Sequence, residues 1–125
     1  MATVRDVVMI GAGPSALAAA IYTTREDIDT VLYEKGVVGG MAAITDKVDN
    51  YPGFAEGIEG MKLAEQLQAQ AERFGAVIEL GDVTEIRDNG KTKTVVVDGE
   101  EVETKTVLLA TGSDYNKINV AGEAE

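Results

Sequence analysis

A parallel α/β sheet with a crossover helix, joined to a three-stranded antiparallel β-meander, is the fold class that three features of this chain predict. The first is Asp6 to Ala20, an apolar run that breaks at glycines and restarts as a run of small residues. The second is Thr30 to Glu34, a short apolar run ending in an acid about 20 residues beyond those glycines. The third is Val83 to Ala110, where Asp88-Asn89-Gly90 and Asp98-Gly99 separate β-prone runs. Asn-Gly and Asp-Gly supply the positive φ angles that tight hairpin turns need.

Val7 to Ile10 are apolar without alternation, the pattern of a parallel strand buried on both faces. Gly11 lets the chain turn sharply, and Gly13 lets backbone approach a ligand where any Cβ would intervene. Pro14 suits a first helical turn, because its missing N–H has no helical partner there. The helix from Pro14 to Arg25 carries Leu17, Ala18, Ala20 and Ile21 at helical spacing, and it is expected to be the crossover of a right-handed βαβ unit. Its free N–H groups and positive dipole end make a pyrophosphate site. The spacing is G-x-G-x-x-A, with Ala16 where many dinucleotide-binding turns place a third glycine. In that Rossmann-like frame Glu34 is placed to accept hydrogen bonds from an adenosine ribose. The alternative for Glu34 is an ordinary surface acid at a strand end.

Lys35 to Gly57 reads as irregular and is expected to wrap a ligand or carry a helical turn of its own. From Gly60 the pattern returns to a helix, with Met61, Ala64, Leu67, Ala71 and Phe74 as its core face and Gly75 as its stop. Ala76 to Leu80 is the expected third parallel strand. Val83 to Asp88, Lys93 to Val97 and Glu101 to Ala110 form the meander. The last of these alternates through Thr106 and is then uniformly apolar from Val107 to Ala110. That change predicts one long strand that leaves the meander and inserts beside the first strand, ending near the glycine turn.

With 125 residues and 45% apolar content, one domain is expected. A net charge of −11, from 11 Lys plus Arg against 22 Asp plus Glu, excludes a broad nucleic-acid surface. A dinucleotide remains admissible, because backbone N–H groups can hold its phosphates. The chain has no cysteine and no histidine, hence no thiol pair, no imidazole proton shuttle and no soft metal ligand. Glu100-Glu101 and Glu123 to Glu125 read as solvated acidic surface rather than as a metal site. No leader-like segment precedes the first strand and no stretch is long enough to cross a bilayer, so a cytoplasmic address without membrane contact is the expectation.

Glycine fingerprint, Glu34, Gly39-Gly40, Asp49-Asn50-Tyr51-Pro52-Gly53-Phe54, the meander and Ala110-Thr111-Gly112 follow in one order. Together they resemble the FAD-binding half of low-molecular-weight thioredoxin reductases, over essentially residues 1–125. The resemblance implies that Gly11, Gly13, Pro14 and Ser15 surround the FAD pyrophosphate, that Glu34 holds the adenosine ribose, and that the Val83 backbone touches the adenine. It further implies that Gly39, Gly40, Met41 and Thr45 line the path to the flavin, with Asn50 beside the isoalloxazine edge, while Ala110, Thr111 and Gly112 close the groove. Read without the resemblance, Gly39-Gly40 is equally a plain loop, Asn50 to Gly53 a turn chosen for its backbone geometry, and Thr111-Gly112 a strand end. Met41 stands where the family usually has a glutamine, so no amide side chain is available there.

Asn116 to Glu123 resembles the segment that precedes the family's crossing into its NADPH-binding domain. The expectation is therefore a site incomplete relative to the family, without the NADPH domain, its Cys-x-x-Cys pair or the later return segment, and with exposed sheet edge and apolar surface. In the parent reaction FAD takes hydride from NADPH and passes electrons to a protein disulfide, which reduces thioredoxin-like partners. This chain is read as the FAD-binding part of such an oxidoreductase, with no catalytic side chain and no competence by itself. Two other readings stay open: a stand-alone dinucleotide-binding module, and an inactive subunit completed by a partner chain or a second copy as a homodimer.

Overall fold

The computed structural model describes residues 3–112. The elements run β1 (Arg5–Ile10), α1 (Pro14–Arg25), β2 (Thr30–Glu34), α2 (Gly40–Ala43), β3 (Lys47–Val48), β4 (Ile58–Glu59), α3 (Gly60–Arg73), β5 (Val77–Leu80), β6 (Val83–Asp88), β7 (Lys93–Val97) and β8 (Glu100–Leu109). The segment expected to be irregular thus carries α2 and a small β3–β4 pair. The Asn116–Glu123 segment lies outside the described residues.

One six-stranded sheet has the order β5-β2-β1-β8-β7-β6. β5, β2 and β1 are parallel, and the meander is antiparallel. The two parts share β8, whose first half pairs with β7 and whose second half pairs in parallel with β1. Thr104 is the pivot, in register with both Lys93 and Arg5. Its buried hydroxyl lies 3.2 Å from the Arg5 carbonyl and 2.9 Å from the Thr106 carbonyl, so the hydroxyl itself has partners where β8 changes neighbours.

The absence of alternation in β1 and β2 follows from cover on both faces. Met9 and Leu32 point to the side where Leu17, Ala20, Leu63, Leu67 and Ala71 of α1 and α3 pack. Val8 and Val31 point the other way and meet Val95 and Val97 of β7. The sheet therefore folds its meander over one face of its own parallel half, while the helices cover the other. The two crossovers step outward from β1 in the same sense, so α1 and α3 lie side by side on one face and run in the same direction.

One expectation about burial is corrected. Met61 is 53% exposed, and Leu63, at 1%, takes its place in the core. At about 100° per residue Met61 sits roughly a quarter-turn from the centre of the stripe of Leu63, Ala64, Leu67 and Ala71. Leu108 and Leu109, in the uniformly apolar end of β8, are 39% and 66% exposed. Among the described residues no helix covers β8 beyond β1, and the meander turns away at Thr104. No helix of the described residues is long and apolar enough to cross a membrane.

Candidate dinucleotide site

The site forms at the C-terminal ends of β1, β2 and β8, where the chain leaves each strand. Gly11 turns the chain out of β1 at a φ of 108°, a conformation that favours glycine. Its N–H donates to the Tyr33 carbonyl at 2.7 Å, and a Cβ added to Gly11 would strike the Ala110 carbonyl. Gly13 is different. It precedes α1 in an extended conformation, and a Cβ built on it meets nothing within 4 Å. The open direction is the groove side, since Gly13 lines the groove together with Pro14 and Ser15. The first turn of α1 has Pro14 at its start, no side-chain cap and no acidic residue, leaving N–H groups free for an anionic ligand.

Glu34 is held by backbone at both oxygens. Oε1 accepts the Ala12 N–H at 2.9 Å, and Oε2 accepts the Gly36 N–H at 2.9 Å. The carboxylate thereby ties the glycine turn to the end of β2, and each oxygen keeps acceptor capacity for a ribose hydroxyl. It lines a small pocket of about 90 Å³ with Tyr33, Gly81 and Val83, and a larger groove of about 690 Å³ with Gly13, Gly40 and Met41. Glu34, Lys35 and Thr111 line both, so pocket and groove adjoin along one trough-shaped edge of the fold, the trough. A bulge between Val83 and Glu85 interrupts the ladder at the start of β6, beside the narrow end. Burial and the Glu79 carboxylate keep the Tyr33 hydroxyl, at that end, above its usual pKa and thus neutral.

The predicted Gly11, Gly13, Pro14, Ser15, Glu34 and Val83 are thus brought together along the trough. Gly40, Met41, Ala110, Thr111 and Gly112 close its wide end. Gly39, Thr45 and Asn50 line neither cavity. Gly39 donates its N–H to the Ala12 carbonyl at 2.7 Å, and a Cβ on it would collide with Ala64 of α3. The Thr45 hydroxyl donates to the Met41 carbonyl at 2.8 Å and closes α2, and Asn50 is exposed on the loop before Tyr51. Gly39 and Thr45 thus hold the turn that carries Gly40 and Met41.

Sequence reasoning missed Lys35, Val37, Ala42 and Ile44, which also line the groove. Lys35 had a usable signal: it directly follows the acid at a strand end that must face the crevice. It lines both parts of the trough and makes no ion pair among the described residues, in a chain of net charge −11.

The family profile described as pyridine nucleotide-disulphide oxidoreductase matches residues 5–125. The chain belongs to the pyridine nucleotide-disulphide oxidoreductase family. Similar members of this family include thioredoxin reductase from Bacillus subtilis, 42% identical over 120 residues, covering 96% of this chain and 38% of the relative. Thioredoxin reductase from Listeria monocytogenes is 41% identical over 120 residues, covering 96% and 37%. The crystal structure of Lactococcus lactis thioredoxin reductase superposes with a TM-score of 0.89 at 38% identity, over 96% of this chain and 39% of that one. The chain therefore spans well under half the length of these oxidoreductase relatives.

Proposed function

We propose that this chain is the FAD-binding portion of a thioredoxin-reductase-like flavoprotein oxidoreductase. The observation that supports this is the pair of adjoining cavities that make the trough, with Glu34 held by two backbone N–H groups where they meet and Gly13 with open space at its Cβ position beside the free end of α1. The residues fit the group. In this reading Val83 would meet the adenine, Glu34 the ribose, Gly13, Pro14 and Ser15 the pyrophosphate, and Met41 would face the flavin side; all of them line the pocket or the groove. FAD, when bound, supplies the hydride and electron transfer, and the protein supplies position and electrostatics.

The parent reaction, from NADPH through FAD to the disulfide of a thioredoxin-like protein, belongs to the longer protein in this reading. The present sequence holds no cysteine and no histidine, and its own residues bind and orient rather than react. A second reading, a subunit completed by another chain, is favoured by the exposed Leu80 on edge strand β5 and by Leu108 and Leu109 on the half of β8 that β7 does not pair.

The test is the visible absorbance of the purified chain after adding FAD and gel filtration, with ADP and NADH titrated alongside. A retained flavin spectrum, displaced by ADP, is the expected result. Tight NADH binding with no FAD binding would replace this reading by a stand-alone dinucleotide module. Flavin retained only by an assembled species would favour the subunit reading.

A further inference from the structure

A second cavity, separate from the trough, lies on the helical face. It is an open cleft of about 690 Å³ between α1 and α3, closed at one end by Tyr51 and Pro52. One wall is the stripe Ala18, Tyr22 and Arg25, and the other is Gln66, Gln70 and Arg73, each spaced by a turn of helix. Because the two helices run in the same direction, their last-turn arginines sit at the same end. Arg25 and Arg73 both lie against the Phe74 ring, with guanidinium carbons 5.8 and 4.9 Å from its centroid.

The cleft is chemically polarised. Tyr22, which is 72% exposed, lines it together with Tyr51, Phe54 and Leu63, while the last turns of both helices supply the two guanidinium groups. No carboxylate lines it, although the chain has twice as many acidic as basic residues, 22 against 11. Neither arginine forms an ion pair among the described residues. A volume of several hundred Å³ suits several side chains of a ligand. A second copy seated cleft to cleft would set these like charges against each other, which disfavours that occupant.

We propose that the cleft between α1 and α3 docks a short acidic segment of a partner protein. An apolar side chain of the segment lies among Tyr22, Tyr51 and Phe54, and its carboxylate pairs with Arg25 and Arg73. Guanidinium forks suit a carboxylate because they offer paired, charge-assisted hydrogen bonds. This inference is independent of what fills the trough.

The experiment selects a phage-displayed library of random short peptides on the full chain, then measures a recovered peptide by fluorescence anisotropy. Recovered sequences are expected to carry Asp or Glu beside an aromatic or aliphatic residue. Binding is expected to weaken about tenfold or more in the R25Q/R73Q double variant, and likewise when the peptide's Glu is replaced by Gln. Y22S is expected to weaken it as well. Far-UV circular dichroism checks that each variant is folded, and the altered peptide tests the charge pairing even if a variant is not. Recovery of neutral or basic peptides, unchanged binding by R25Q/R73Q, or failure to enrich any peptide would overturn the proposal. So would a concentration-dependent dimer abolished by the same variant, since the occupant would then be a second copy.

Discussion

Gly11 and Gly13 stand two positions apart and have opposite consequences when a side chain is added. At Gly11 positive φ and the nearby Ala110 carbonyl make any Cβ a folding defect, so Gly11→Ala should lower stability by about 1–3 kcal/mol in a urea melt. At Gly13 the added atoms enter the groove alone, so Gly13→Val should keep the wild-type melt and lose ADP and FAD binding in titration. Glu34→Ala should weaken ADP binding by about 1–3 kcal/mol, because it removes a charged acceptor. It should also lower stability, since the Ala12 and Gly36 N–H groups lose their partner. Lys35→Met is expected to weaken ADP roughly threefold to tenfold at low salt and to leave adenosine binding unchanged, as a single ammonium beside phosphate would. Residue chemistry made Glu34 and the glycine turn legible. The division of labour between Gly39, against Ala64, and Gly40, within 3.3 Å of Gly13 for an added Cβ, was not.

Among the elements, β8 was read most fully, because its change from alternating to uniform apolarity mirrors its change of partners at Thr104. Which residues of its end stay exposed was not legible, because a strand's pattern does not tell how far its neighbours' helices reach. The same limit misplaced Met61, which has the right spacing to Ala64 but lies off the stripe that α1 and the sheet contact. Asp6 of β1 links three elements. It accepts the Asp29 N–H at 3.0 Å before β2 and pairs with Lys105 of β8 at 3.1 Å. Those contacts, the Asp29 bond foremost, hold its carboxyl below the ordinary value of 3.8. A lowered acid contributes stability above its unfolded pKa and loses it as pH falls through the folded one. Urea midpoints are therefore expected to drop below pH 3.8, and Asp6→Asn should flatten that slope in part. Asp88, likewise lowered by Lys93 and the Gly90 N–H, accounts for a share of the remaining slope.

Across the whole molecule, the parallel half of the sheet is sandwiched between two helices and its own meander, and the trough opens where β1, β2 and β8 end together. That placement is general to open parallel sheets, since the loops that leave the strands collect at one edge. The sequence by itself determined the elements, the glycine turn, the acid on β2 and the double role of β8. Each depends on local requirements: a positive φ, a proline tolerated at a helix start, a period of two or of about 3.6. Only the tertiary structure decided that Gly39 packs against Ala64, that the Thr45 hydroxyl closes α2 and that Lys35 and Val37 line the groove, and that α1 and α3 bring Arg25 and Arg73 to one ring. Those outcomes turn on which surfaces meet across long stretches of chain, and no short-range pattern records that meeting.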